Sequence, residues 1–199
     1  MIRKVVGNRI EGILTKTALF LHHHKITPNN LTLVGLLING IAAYCYYRGF
    51  LILGGMVLLL AGFFDMLDGA VARAGDSASK IGAFNDSVVD RYSDFLILSG
   101  ILTYFAKKGE LGNVILVLVI ICGTFLVSYI RARAELVIPK CAVGLMERAE
   151  RIIVLAAGSL FDFFIVSLWF LAVSTHFTAF HRIYYTHKTY KNTLKDSSS

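Results

Sequence analysis

Five long apolar windows divide the chain: Leu31 to Tyr47, Leu51 to Val71, Ile81 to Phe105, Val114 to Ile130 and Ile152 to Phe180. A helix needs about 20 mostly apolar residues to cross a bilayer core, and each of the first four windows comes close to that. The fifth is too long for one crossing. It breaks at Phe161-Asp162-Phe163 into two helices, the first starting in the charged segment around Glu147. The pattern predicts an all-α integral membrane bundle of six transmembrane helices over residues 31–187.

Ahead of the first window the periodicity changes. Ile2, Val5, Val6, Ile10, Ile13, Leu14 and Phe20 recur at helical spacing with Arg3, Lys4, Arg9 and Lys16 between them. Residues 1–25 are therefore expected to form an amphipathic helix lying on the membrane surface. No short hydrophobic segment with a small-residue cleavage site is visible there, which argues against a cleaved signal peptide. Residues 188–199 read as a polar tail, frayed from Asn192 on, and residues 1–199 as a single membrane domain.

Composition supports the membrane reading, with 56% hydrophobic residues, 17% charged residues and a mean hydropathy of +0.65. The few charges are unevenly distributed. Arg48, Lys107 and Lys108 fall at one end of the expected bundle, and most other cations fall in the termini and the opposite loops. The excess of Lys and Arg in cytoplasmic loops orients membrane proteins, so both termini are expected in the cytoplasm. The net charge of +7 then faces anionic headgroups and anionic substrates, and nucleic acid is not needed to explain it. Cys45, Cys122 and Cys141 show no paired spacing, so neither a disulfide framework nor a zinc site is expected.

One stretch breaks the apolar pattern: Phe63 to Asp94 holds six aspartates. The second and third helices are expected to form an antiparallel hairpin through Ala74 to Ser79, with Asp76 helping to cap the third. At about 1.5 Å per residue, Asp68 and Asp65 then sit roughly 7 and 12 Å from Arg73, and Asp86 and Asp90 roughly 9 and 15 Å from Lys80. Asp65 and Asp68 (i, i+3) share a helix face, as do Asp86 and Asp90 (i, i+4). Turned toward each other, these faces make a four-carboxylate cluster at membrane depth.

Each such charge costs at least about 2.5 kcal/mol there, and like charges add repulsion, so the cluster needs cations. Hard divalent ions take oxygen ligands, and Mg²⁺ keeps positions open for substrate phosphates. Gly69 and Gly82 leave room beside the acids, and Arg73 offers a guanidinium that suits a phosphate. Mutual pairing of the aspartates and close helix packing of the glycines are the structural alternatives.

Taken together, Asp65-x-x-Asp68-Gly69-x-x-Ala72-Arg73, eight residues, then Gly82-x-x-x-Asp86-x-x-x-Asp90 resembles the signature of the CDP-alcohol phosphotransferase family. The resemblance implies a six-helix membrane enzyme, a homodimer open to the cytoplasm, that displaces CMP from a CDP-linked lipid such as CDP-diacylglycerol with a second alcohol, using Mg²⁺ or Mn²⁺. Asp65, Asp68, Asp86 and Asp90 would hold metal, and Asp90 would also serve as general base. Gly69, Ala72, Arg73 and Gly82 would cradle the cytidine diphosphate with Asp68. Pro28 and Asn29, in the run "TPNNLT", would lie near the nucleotide.

Beyond the signature, Arg131, Arg133, Arg148 and Arg151 gather on the expected cytoplasmic side, with Glu147 and Glu150 available as partners for the last two. They suit a phosphorylated acceptor, although positive-inside anchoring would also place them there. With Asp86-Ser87-Val88-Val89-Asp90-Arg91, these segments resemble the family branch that makes phosphatidylinositol phosphate or its archaeal ether-lipid counterpart. The acceptor implied is a polyol phosphate, inositol phosphate first, with a phosphatidylglycerol phosphate synthase as the nearest rival. Asp94 continues the series and is expected to pair with Arg91 or with a neighbouring helix. From another class, a cation transporter could also line its path with carboxylates.

Overall fold

The computed structural model describes Thr17, residues 28–74 and residues 79–196, with the side chains of Thr17, 30–71 and 79–193. The expected surface helix over 1–25 and the cap at Asp76 fall almost wholly outside these residues. Six helices are described: α1 (Pro28–Tyr47), α2 (Leu51–Ala74), α3 (Lys80–Lys107), α4 (Leu111–Ala134), α5 (Arg148–Leu160) and α6 (Phe164–Asp196). The break expected at Phe161 to Phe163 is there, whereas α6 runs on through most of the expected polar tail.

Local chemistry ends the helices where the apolar runs end. Gly49 and Gly109 take positive φ angles of 80° and 71° in the α1–α2 and α3–α4 turns, a conformation that costs a residue without Cβ little. Asp162 does the same in the α5–α6 turn with φ 59°. At the other end Ser79 is the N-cap of α3, its side chain accepting from the Gly82 amide at 3.0 Å.

Four of the helices are long and apolar enough to cross a membrane: α1 over Asn30–Tyr47, α2 over Leu51–Val71, α4 over Leu111–Ala134 and α6 over Phe164–Thr193. Their outward faces are apolar and exposed, as at Leu37, Ile41, Leu118, Val173 and Phe177. A soluble surface does not carry such a continuous apolar face. The protein is an integral membrane protein. The other two helices fall short for identifiable reasons: α3 carries the acids of the signature, and α5 has only 13 residues.

The helices pack as a closed ring. Helix α1 lies against α2 and α3, α2 against α5, α5 against α6, α6 against α4, and α4 against α3. Among the described residues the backbones of α2 and α3 do not pack on each other, and most of the link of the expected hairpin lies outside those residues. Helix α1 sits between them, and like-charged faces have no reason to close the gap.

Two halves of the ring are filled differently. The half nearest the three tight turns is a continuous apolar core that includes Leu58, Ile101, Ile120, Leu168 and Ala156. There the Tyr46 ring stacks on Phe164 at 5.8 Å, and its hydroxyl meets the Ser159 hydroxyl at 2.9 Å. Toward the other end the apolar clusters shrink to Leu31, Ala70 and Val71 on one side and Ala134, Ile138 and Cys141 on the other. Between them lie the aspartates.

Candidate active site at the acidic end of the ring

Helix α2 contributes Asp65 and Asp68, and α3 contributes Asp86, across the gap that their shared neighbour α1 holds open. One carboxylate oxygen from each of these three lies within 4.8 Å of the others. Asp68 is buried, and Asp65 and Asp86 are half-buried. The Thr32 hydroxyl of α1 donates to Asp68 Oδ2 at 2.9 Å, which ties the start of α1 to the cluster. Three anionic oxygen donors this close repel one another unless a cation lies among them. The set is all oxygen, as Mg²⁺ and Mn²⁺ prefer.

Asp90 stands apart from this trio. Its Oδ1 contacts Arg148 Nη1, and its Oδ2 lies 3.8 Å from Arg91 Nη1. The same Arg148 nitrogen donates to Asp65 Oδ1 at 2.9 Å. One guanidinium from α5 thus bridges carboxylates of α2 and α3.

The four arginines singled out from sequence separate into distinct settings. Arg148 and Arg151 are largely buried, with side chains 13% and 9% exposed, and both turn toward α3. Arg151 Nη2 donates to Asp94 Oδ2 at 2.6 Å, and Arg148 Nε lies 3.7 Å from Asp94 Oδ1. Asp94 therefore pairs with another helix, as expected, but one that lies across the ring rather than beside its own. Among the described residues Glu147 and Glu150 do not pair with these arginines, which are taken up by carboxylates of α2 and α3. Glu147 instead lies 3.4 Å from both Arg131 Nη1 and Arg182 Nη2. Arg131 also lies 3.2 Å from Glu135, one turn on. Arg133 is exposed on the last turn of α4 and stands apart from these pairs.

Two residues that sequence reading did not assign to the site belong beside it. Thr32 is one, and Arg182 is the other. Arg182 is 1% exposed and donates to the Val143 and Val127 carbonyls at 2.8 and 2.7 Å, clamping the α4–α5 loop that leads into the arginines of α5. The available signal was a lone cation within the apolar reach of α6, which in a membrane helix asks for a partner.

The cradle residues are only partly in view. The side chains of Pro28, Asn29, Ala72 and Arg73 lie outside those described, although Pro28 and Asn29 open α1 and the backbone of 72–73 is in the last turns of α2. Gly69 immediately follows Asp68 and is half-buried. At Gly82, an added Cβ would meet only Ser79 Oγ of its own cap, at 3.0 Å. No neighbouring helix presses on it among the described residues, so tight helix packing does not account for this glycine.

Comparison with known proteins agrees with this geometry. Residues 25–180 match the CDP-alcohol phosphatidyltransferase family. The chain is 40% identical over 160 residues to the archaetidylinositol phosphate synthase of Pyrococcus horikoshii, covering 80% of this chain and 82% of that one. The crystal structure of Mycobacterium tuberculosis phosphatidylinositol phosphate synthase with CDP-DAG bound is similar at a TM-score of 0.80 and 31% identity, over 87% of this chain and 93% of that one. The same enzyme in complex with manganese and citrate gives a TM-score of 0.80 at 30% identity, over 87% and 88% of the two chains. With the signature filled and three of its four aspartates assembled, the chain belongs to the CDP-alcohol phosphatidyltransferase family.

Proposed function

We propose that this enzyme transfers the phosphatidyl group of CDP-diacylglycerol, or the equivalent group of a related CDP-lipid, to inositol phosphate and releases CMP. The observation that carries the reading is the placement of Arg148 and Arg151 beside a three-carboxylate cluster inside an apolar bundle. The acids suit a metal-bound diphosphate, the bundle suits a lipid, and the guanidinium groups suit a phosphate on the acceptor. The relatives named for inositol phosphate products support the same acceptor.

Asp65, Asp68 and Asp86 would hold Mg²⁺ or Mn²⁺, with Asp90 at its edge. When bound, the metal supplies neutralisation of the diphosphate and of charge on the attacking and leaving oxygens. The protein's own groups do the rest. Thr32 holds Asp68 in place, and Gly69, Ala72, Arg73 and Gly82, with Pro28 and Asn29 at the start of α1, line the nucleotide site. Arg131, Arg133, Arg148 and Arg151 receive the acceptor's phosphate. Asp90 takes the proton from the attacking hydroxyl. The new P–O bond then forms at the lipid-bearing phosphorus as its bond to CMP breaks, and CMP leaves with the electron pair.

In this reading all six helices cross the bilayer, since α3 and α5 each sit between helices that are long enough to do so. A surface helix over 1–25 precedes them. The cation distribution puts both termini and the acidic end in the cytoplasm. A homodimer is carried over from the family resemblance. The cation-path alternative gains no support, because the half beyond the aspartates is filled by the Tyr46, Phe105 and Phe164 stack and its apolar neighbours.

The test is CMP release by purified protein in detergent with Mg²⁺ and CDP-diacylglycerol, across inositol phosphate, glycerol phosphate, inositol and serine. Release that depends on inositol phosphate is expected. Release with glycerol phosphate alone would move the chain to the rival branch.

A further inference from the structure

Asp94 lies one helical turn beyond Asp90 on α3, outside the family signature, and its two oxygens serve two different arginines of α5. Oδ2 accepts from Arg151 Nη2 at 2.6 Å, and Oδ1 faces Arg148 Nε at 3.7 Å. Arg151 is itself held from a second direction, because its Nη1 donates to the Met146 carbonyl at 3.3 Å. Behind this pair is a small cavity of about 30 Å³ walled mainly by apolar side chains such as Leu58, Ile97 and Leu171. The Asp94 side chain is only 12% exposed, so its charge depends on the two guanidinium groups for solvation.

A buried carboxylate that only needed a counter-ion would be satisfied by Arg151. The second oxygen lies 3.7 Å from Arg148 Nε, an ion-pair contact without a hydrogen bond, so its charge draws that edge of the planar guanidinium toward α3. The opposite edge of Arg148 carries the Nη1 that meets Asp65 and Asp90. A chain of contacts runs from the Met146 carbonyl through Arg151 to Asp94 by hydrogen bonds, then by an ion pair to Arg148 and on to carboxylates on two helices.

We propose that Asp94 is a positioning residue that holds Arg148 edge-on, so that its Nη edge meets the acceptor's phosphate beside the carboxylate cluster. This rests on the reading of the α5 arginines as the acceptor-phosphate site. Asp94 touches neither substrate. It acts by setting the angle at which Arg148 is offered.

A double-mutant cycle on CMP release tests this, with CDP-diacylglycerol and inositol phosphate titrated separately. Asp94→Asn is expected to raise KM for inositol phosphate about 5-fold, the scale of an ion pair without a hydrogen bond, with KM for CDP-diacylglycerol and kcat held within about twofold. Lysine has no Nε edge for Asp94 to hold, so in an Arg148→Lys background the further effect of Asp94→Asn should shrink to under about twofold. Equal changes in both KM values, a loss in kcat alone, wild-type kinetics, or an undiminished effect in the Arg148→Lys background would overturn the positioning role. If Arg148→Lys by itself leaves KM for inositol phosphate unchanged, the acceptor-site reading fails first. Should Asp94→Asn not fold, Asp94→Glu, which keeps the charge and moves the oxygens, goes through the same cycle with the same criteria.

Discussion

The two ends of the helix ring solve opposite problems with the same six helices. At the end with the tight turns, Tyr46, Phe105, Phe164 and Leu168 close the interior with apolar contact, and the Tyr46 hydroxyl finds a partner in Ser159. At the other end, Asp65, Asp68 and Asp86 bring three carboxylates together, and Arg148 pairs with Asp65 and Asp90. One end keeps the bundle together. The other gathers more carboxylates than the one guanidinium among them offsets, an excess that a bound cation would relieve, and a pattern expected where function has been gained at the expense of stability.

That contrast can be broken by substitutions at each end. The largest effect is expected from Asp90→Asn, which should lower turnover by about 10²- to 10⁴-fold, the span of a general base. Binding of CDP-diacylglycerol, measured by retention of the labelled lipid, should persist. Phe164→Ala should do the reverse: remove about 3–5 kcal/mol of stability, as a buried aromatic truncation does, while the folded fraction keeps its wild-type kcat. Thermal unfolding in detergent followed by an activity titration separates the two.

Smaller effects sharpen the same line. Asp86→Asn removes one like charge from the trio, so with chelator present its thermal stability should equal or exceed wild type, by up to about 1 kcal/mol on the scale of a screened charge pair. A clear loss of stability would mean that the trio supports the fold. Tyr46→Phe should cost about 1 kcal/mol or less, because Ser159 still donates to the Leu155 carbonyl at 2.8 Å and leaves no orphan donor. Its CMP release should match wild type.

Much of this division was legible in the sequence. Apolar runs bounded the helices to within a few residues except at the end of α6, which runs on to Asp196, and the charged start near Glu147 with the break at Phe161 to Phe163 separated α5 from α6. Spacing placed Asp65, Asp68, Asp86 and Asp90 at a similar depth; the structure brings the first three together and leaves Asp90 on Arg148 and Arg91. What sequence could not supply was partner choice across the ring. Spacing within α5 suggested Glu147 and Glu150 for its arginines, but the arginine side chains reach across the ring to α3, and Glu147 serves Arg131 and Arg182 instead. The hairpin was likewise inferred from a short link, whereas the packing that decides the gap between α2 and α3 comes from α1. Contacts such as Thr32 with Asp68 and Arg182 with Val127 join residues 36 and 55 positions apart, and no local pattern encodes them.

The central claim is that one divalent-metal site is assembled across a gap from two helices that do not pack on each other. Electron paramagnetic resonance of Mn²⁺ bound to the purified protein tests it most directly, on wild type, Asp68→Asn, Asp86→Asn and Asp94→Asn. Bound Mn²⁺ should be lost in Asp68→Asn from α2 and equally in Asp86→Asn from α3, and kept in Asp94→Asn. Retention of the wild-type spectrum and affinity in either of the first two would contradict a shared site.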